Sequence, residues 1–415
     1  MKTLIIIVSI LLNISFSFSQ AGWTLVNSGL GTQTAFYGIY FNDHNTGYIC
    51  GDAGKIYKTT SSGTNWILLN TGTSIDLCSI KFINQNTGIC VGDSGLILKT
   101  TNAGLNWYRL NSNTNQLLMC IRFLNNNFAM VSGYEVMLKT TDCGVSWAST
   151  ILPSTLFMRS VFPVSENVSF AAGYVNFIYS RILKTTNGGI SWDSLSIPFS
   201  NFLNDIYFVD INTGYAAGTN TRKLDKTTNS GLTWTLTNAP LTAPGTLQCF
   251  GPDTIFVAGG PDYVNTYGAS MSTNGGLTWM GQYTPTFHSL IAIHMINSST
   301  GFLSGNNGVV LKTTTSGFTE INSTSTIIPI ENKLYTNYPN PFNPITTINF
   351  DLYRDSEITI RIFDILGNEI LKSSEFKKAG SYGMKFDGSE LSSGLYFYSL
   401  EADNFKDTKK MILIK

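Results

Sequence analysis

A Lys-Thr-Thr run followed at fixed spacing by Gly and Trp recurs along most of the chain, and this repeat constrains the fold more than any other feature. It is seen as Lys58 with Gly63 and Trp66, Lys99 with Gly104 and Trp107, Lys139 with Gly144 and Trp147, Lys184 with Gly189 and Trp192, and Lys226 with Gly231 and Trp234. Met271 with Gly276 and Trp279 keeps the spacing without the Lys, and a seventh copy at Lys312 reaches Glu320 where the others have Trp. The steps between copies are 41, 40, 45, 42, 45 and 41 residues. A unit of that length carries about four short strands and cannot bury both of its faces alone, so copies must pack against one another.

The local pattern agrees with a propeller blade. In the second copy, residues 79–82 and 88–91 read as strands joined by the Asn84-Gln85-Asn86 turn, with a third strand at 96–100 and a fourth at 107–110. Equivalent first strands end at Phe41, Phe82, Phe123, Phe162, Phe208, Phe250 and Met295, which gives seven blades. Of the seven Trp, six belong to the repeats. The seventh, Trp23, opens Trp-Thr-Leu-Val-Asn-Ser-Gly, parallel to Trp66-Ile-Leu-Leu-Asn-Thr-Gly. Residues 23–27 therefore read as a displaced fourth strand that pairs with the third strand of the last blade near 309–313 and closes the ring.

Lys2 and the apolar run at residues 4–12 read as a signal peptide, residues 1–20, cleaved near Gln20 or Ala21. The run is shorter than the ~18 apolar residues of a membrane span, so the mature protein is expected to lack a transmembrane segment. With 26 basic and 26 acidic residues, and only 13% charged, the chain lacks the basic excess that nucleic-acid binding requires. Cys50, Cys78, Cys90, Cys120, Cys143 and Cys249 show neither C-x-x-C nor zinc spacing and read mostly as buried thiols. Neither a metal nor a cofactor is expected.

Thr100-Thr101-Asn102-Ala103-Gly104-Leu105-Asn106-Trp107 and its counterparts resemble the Asp-box, S-x-D-x-G-x-T-W. The polar residue can bond the turn backbone, the Gly can take positive φ, and the Trp can cover the hairpin. The wider pattern, Phe41 to Thr60 and Phe208 to Thr228, resembles propellers named for photosystem II assembly and stability factors, over about residues 21–320. That resemblance implies an all-β, seven-bladed β-propeller acting by protein binding, with the Asp-box hairpins opposite the working face. After a linker at 321–333, residues 334–415 resemble the type A C-terminal sorting domain of the type IX secretion system. The matching stretches are 337–347, Ile362-Phe363-Asp364-Ile365-Leu366-Gly367, Ser393-Gly394-Leu395-Tyr396-Phe397-Tyr398 and 409–415. This implies a small β-sandwich-like tail, a route through the periplasm, the secretion machinery as partner, and release outside the cell or attachment to its surface.

The ligand is less legible. A sialidase-like site needs several convergent Arg, and the propeller has only Arg109, Arg122, Arg159, Arg181 and Arg222. A glycoside hydrolase using two Asp is the alternative function, since Asp76 and Asp205 lie just before or within innermost strands, where they could also cap turns or pair with Arg122 and Arg159. Loop inserts in blades four and six carry Tyr174, Tyr179, Tyr263 and Tyr267. They read either as an adaptable contact surface for a protein or glycan ligand or as plain surface insertions. The repeated Lys reads as a cationic collar or as stems packed at blade edges with heads in solvent. Candidate ligand-binding residues are thus Tyr174, Tyr179, Tyr263, Tyr267, Asp76, Arg159 and Asp205.

Overall fold

The computed structural model describes residues 22–27, 29–176, 178–195, 197, 202–219, 223–238, 241, 243–260, 267–317, 329, 331–388 and 391–415. The proposed signal peptide and most of the proposed linker lie outside them. The chain divides into two compact units, Met1–Thr319 and Glu320–Lys415.

The first unit holds seven four-stranded antiparallel sheets. We name their strands a to d from the axis outward. The a strands are Phe36–Phe41, Leu77–Phe82, Leu118–Phe123, Leu156–Pro163, Phe202–Phe208, Ala243–Phe250 and Leu290–Met295. Strands b, such as Gly47–Gly51, Gly88–Gly92 and Gly301–Gly305, are buried at every residue because neighbouring blades cover both faces. Outer strands such as Ile67–Leu69 are largely exposed. Two-sided burial through the middle of each blade explains why the ring carries so few charges.

The last blade is completed from the other end of the chain. Gly22–Leu25 pairs antiparallel with Val310–Gly317, matching Gly22 with Gly317, Thr24 with Lys312 and Leu25 with Leu311. Trp23 is 1% exposed, and its indole N–H donates to Gln282 Oε1 of the sixth blade at 2.9 Å. Trp66 Nε1 in turn donates to Val26 O at 2.8 Å, tying the closing segment to the first blade.

Aromatic rings bond adjacent blades in a repeating order. A strand-b ring stacks on the Phe ending the next blade's strand a, which meets the Asp-box Trp edge-on. Phe302 stacks on Phe41 at 3.6 Å and Phe41 meets Trp66 at 6.1 Å; Tyr48 stacks on Phe82 at 4.0 Å and Phe82 meets Trp107 at 6.2 Å. The same chain runs from Phe170 through Phe208 to Trp234. Within the Asp-box turn, Asn102 Oδ1 accepts from Asn106 N and Thr100 Oγ1 accepts from Gly104 N, both at 2.9 Å. Gly104 sits at φ +83°, and a Cβ there would come within 2.8 Å of Leu69. In the third copy the hydroxyl and N–H of Ser146 hold the Asp142 carboxyl down to about 2.

The repeated Lys forms neither a collar nor solvated edges. In four blades the ammonium crosses to the Asp-box turn of the following blade: Lys58 Nζ donates to Ala103 O at 3.0 Å, Lys99 to Cys143 O at 2.7 Å, Lys184 to Ser230 O at 3.0 Å and Lys226 to Gly275 O at 2.8 Å. Lys312 reaches Ser62 Oγ and carries the series across the closure. The ammonium groups lie over strand-b rings on the way, Lys184 5.2 Å from the Phe170 centroid and Lys226 5.4 Å from that of Tyr215. Lys99→Met keeps the stem and removes the charged donor, so it is expected to cost about 1 kcal/mol, the lower range for a part-exposed charge-assisted bond. The shift of the urea midpoint measures it.

The second unit packs a three-stranded sheet, ordered Lys333–Leu334, Ile345–Leu352 and Gly380–Asp387, against a four-stranded one, ordered Glu369–Lys377, Ser356–Phe363, Gly394–Ala402 and Phe405–Leu413. Alternation in Ile345–Leu352 and Ser356–Phe363 turns Ile348, Phe350, Ile358, Ile360 and Ile362 into one core. The opening motif is pinned there: Tyr398 Oη accepts from Asn337 N at 2.7 Å and donates to Tyr335 O at 2.8 Å. Glu369–Lys377 is an edge strand with no buried residue and therefore no apolar alternation in the sequence to announce it. No helix among the described residues is long and apolar enough to cross a membrane.

Candidate functional site

The innermost strands share one irregularity. In every blade the pairing of a with b slips by one residue at the same level, between Phe36 and Gly38, Leu77 and Ser79, Leu118 and Cys120, Met158 and Ser160, Leu203 and Asp205, Pro244 and Thr246, and Leu290 and Ala292. The residues left over are Tyr37, Cys78, Met119, Arg159, Asn204, Gly245 and Ile291, and all seven line one central cavity of about 380 Å³. A bulge takes its extra residue out of the in-and-out alternation and bends the strand. Repeated around the axis, it arms the channel with six chemically different side chains and one glycine. The bulges lie at the starts of the a strands, whereas Asp-box turns follow the ends of the c strands, so the two features occupy opposite faces.

Below the bulges the wall narrows to small residues such as Gly38, Ser79, Ser160 and Ala292. Asp205 is the exception, and its oxygens are fully engaged. Oδ1 accepts from Ser160 Oγ at 2.7 Å and Ile206 N at 3.0 Å, and Oδ2 from Thr246 Oγ1 at 3.2 Å and Leu247 N at 3.0 Å. Arg122 Nη2 adds an ion pair at 3.6 Å. Burial opposes the charge on Arg122, but Asp205 together with Cys120 and Tyr207 outweighs it and raises the guanidinium pKa. A carboxylate with its lone pairs so occupied is a brace across three blades and a poor nucleophile or base, which weakens the two-Asp glycosidase reading.

Deeper still, aromatic and cationic side chains converge across the channel. Tyr40 packs on His294 at 4.8 Å and Phe162 on Tyr207 at 4.5 Å, while Arg122 lies over both Phe162 and Tyr207 and Lys81 lies 5.4 Å from the Tyr40 centroid. Burial, with Lys81 and Arg122 nearby, lowers the His294 pKa to about 3, so this imidazole is neutral at physiological pH. Burial and the Arg122 charge press Lys81 down to about 8. The channel thus has an open mouth at the bulges and a cationic floor.

Of the residues singled out from sequence, Asp76, Arg159 and Asp205 come together in this cavity. Asp76 is exposed at the mouth, where Oδ1 accepts from Ala53 N at 2.8 Å. Arg159 lies 5.9 Å from the Phe157 centroid. Tyr174 does not project from its insert: strand b of blade four runs on to Val175, and the Tyr174 ring is buried between Phe157, at 5.2 Å, and Phe202, at 5.6 Å. It supports the channel wall from behind. Tyr179 is 59% exposed at the start of the next strand. Tyr267 begins a strand, and Tyr263 lies outside the described residues. All six Cys are free thiols, with Cys50, Cys90 and Cys249 buried and Cys78 on the channel wall, where burial pushes its thiol up to about 12. Among the described residues no group of three or more His, Cys, Asp or Glu is placed to hold a metal.

Sequence reading missed Tyr37, Lys81 and the bulge ring as such. Stacking the seven copies marks the ring as a column of unlike residues that follows an apolar column, Phe36, Leu77, Leu118, Met158, Leu203, Pro244 and Leu290.

Residues 16–151, which include the first three blades, match the family model described as photosynthesis system II assembly factor YCF48. Residues 336–415 match the model described as secretion system C-terminal sorting domain. No curated protein matches the chain. Among solved structures, YCF48 bound to D1 peptide has a TM-score of 0.58 at 19% identity, covering 72% of this chain and 96% of that one. YCF48 from Cyanidioschyzon merolae has a TM-score of 0.57 at 18% identity, covering 70% and 98%. The WD40 β-propeller domain of Doa1 has a TM-score of 0.58 at 11% identity, covering 70% and 96%. These likenesses establish the propeller fold.

Proposed function

We propose that this chain, an all-β propeller resembling YCF48 and ended by a secretion sorting domain, is a peptide- or protein-binding module delivered outside the cell by the type IX secretion machinery. The observation that carries the binding half is the ring of seven bulges, which places Tyr37, Cys78, Met119, Arg159, Asn204, Gly245 and Ile291 at one mouth. A bulge bends and twists its strand, and here it also turns one residue of every blade into the central cavity, the placement a binding site uses. The mouth mixes apolar Leu117, Met119 and Ile291 with charged Asp76, Asp93 and Arg159, a composition suited to a peptide segment. A solved structure of similar fold holds a peptide.

The opposite face offers the competing surface. Leu105, Val145, Ile190, Leu232 and Leu277 at the Asp-box turns are all strongly exposed. A photo-reactive residue at Met119 is expected to capture the ligand in the producing cells, and one at Leu232 is expected not to.

A further inference from the structure

We propose that the channel floor is a carboxylate subsite, in which Lys81 and Arg122 receive one carboxylate of the peptide ligand. This rests on the peptide-binding reading and adds the group recognised.

The first argument is charge balance. At this level Lys81 and Arg122 carry two positive charges and Asp205 one negative, and the Asp205 oxygens are already filled by Ser160, Ile206, Thr246 and Leu247. One positive charge is left over at the floor, with Asp76, Asp93 and Arg159 at the mouth above it. A monoanion neutralises it, and a phosphate dianion overshoots.

The second argument is unmet donors. Among the described residues the Lys81 ammonium has no hydrogen-bond acceptor, only the Tyr40 face. Arg122 lines the same cavity, although its Nε is shut off from it and without a partner. Ser79 Oγ accepts from Ile121 N at 3.3 Å, which leaves its own proton to donate. Charged donors in a protein-walled channel need water or a ligand to meet them, and a carboxylate offers about four lone-pair sites in one plane. The 380 Å³ of the cavity admits a side chain or a chain end and excludes a folded domain. The apolar Leu117, Met119 and Ile291 above the floor favour a peptide over an acidic sugar.

The groups facing Lys81 are Arg122, Cys120, Asp205, Cys50, Tyr40 and His294. Because Arg122 and burial depress Lys81, a bound carboxylate must favour its charged form and move its titration midpoint back up. Binding therefore weakens as pH rises past about 8.

The test uses the full chain with lysines carrying ¹³C-methyl groups, the Lys81 NMR signal being the one absent from Lys81→Arg. N-acetyl-alanyl-alanine is titrated in, beside its C-terminal amide, glucuronate and inorganic phosphate. The dipeptide acid is expected to shift the Lys81 signal and raise its midpoint, and the amide to leave both unchanged. Lys81→Met is expected to weaken binding of the acid about tenfold or more, and Lys81→Arg to retain it and guard against misfolding of the neutral variant. An equal response to acid and amide, or a stronger one to phosphate, overturns the carboxylate assignment; a stronger response to glucuronate overturns the peptide. Silence of Lys81 toward every probe, while a cross-linker at Met119 still captures a protein, overturns the subsite and leaves the binding function standing.

Discussion

Cells producing the chain without residues 336–415 are expected to lose essentially all of the protein from the medium and the cell surface, and to retain it in the envelope. The reason is structural as well as by likeness. The sorting-domain match ends at Lys415 and covers a unit with its own core around Ile348, Ile360 and Tyr398, separate from the propeller cores. Removing it deletes no propeller strand, so the propeller should still fold, and a change in yield outside the cell reports on address rather than stability. Fusing residues 321–415 to a periplasmic reporter is the reciprocal experiment and should send the reporter out. Immunoblots of medium, surface and envelope fractions read both, and an undiminished extracellular yield of the truncated chain would overturn the assignment.

Trp23→Ala is expected to be the most damaging single substitution in the ring. It removes a side chain that is 1% exposed and strands Gln282 Oε1 in the interior, so the cost should be about 3–5 kcal/mol. For a domain of this size the melting temperature should fall by on the order of 10 °C. The damage also has a location. Gly22–Leu25 holds Val310–Gly317 through only a few pairs, and without its Trp the closing strand can leave and expose a sheet edge that invites aggregation. Trp192→Ala is the control, since that indole is half-buried, has no Nε1 partner and closes nothing. Equal losses at the two positions would mean that closure contributes no special stability.

Much of the architecture was legible because the repeat is a physical requirement. Six of the seven blades carry a Phe at or next to the end of strand a, three of these receive a strand-b ring from the neighbouring blade, and a Trp covers the hairpin, all at recurring spacing. The role of the repeated Lys was not legible, because its partner is a backbone carbonyl about 45 residues on and carries no side-chain signature. Sites were legible only in part. Asp76, Arg159 and Asp205 do meet at the channel, yet Asp205 spends its oxygens on bracing. Tyr174 looked like a projecting insert because the loop is long, but the extra residues lengthen the hairpin and carry the ring inward. The bulges were legible only across the stacked copies and not within one strand. A bulge is a two-against-one count between strands, and a single strand read in isolation shows six residues that alternate normally.

The central claim is that ligand enters the channel mouth at the bulges. Photo-reactive residues at Met119 and at Leu232, introduced separately into the secreted protein, place one probe at the mouth and one on the exposed Asp-box face. Irradiation in the producing cells, followed by recovery of the propeller, should give an adduct from Met119 that Arg159→Ala diminishes, and none from Leu232. Adducts from Leu232 alone would contradict the claim and move the binding surface to the opposite side of the ring.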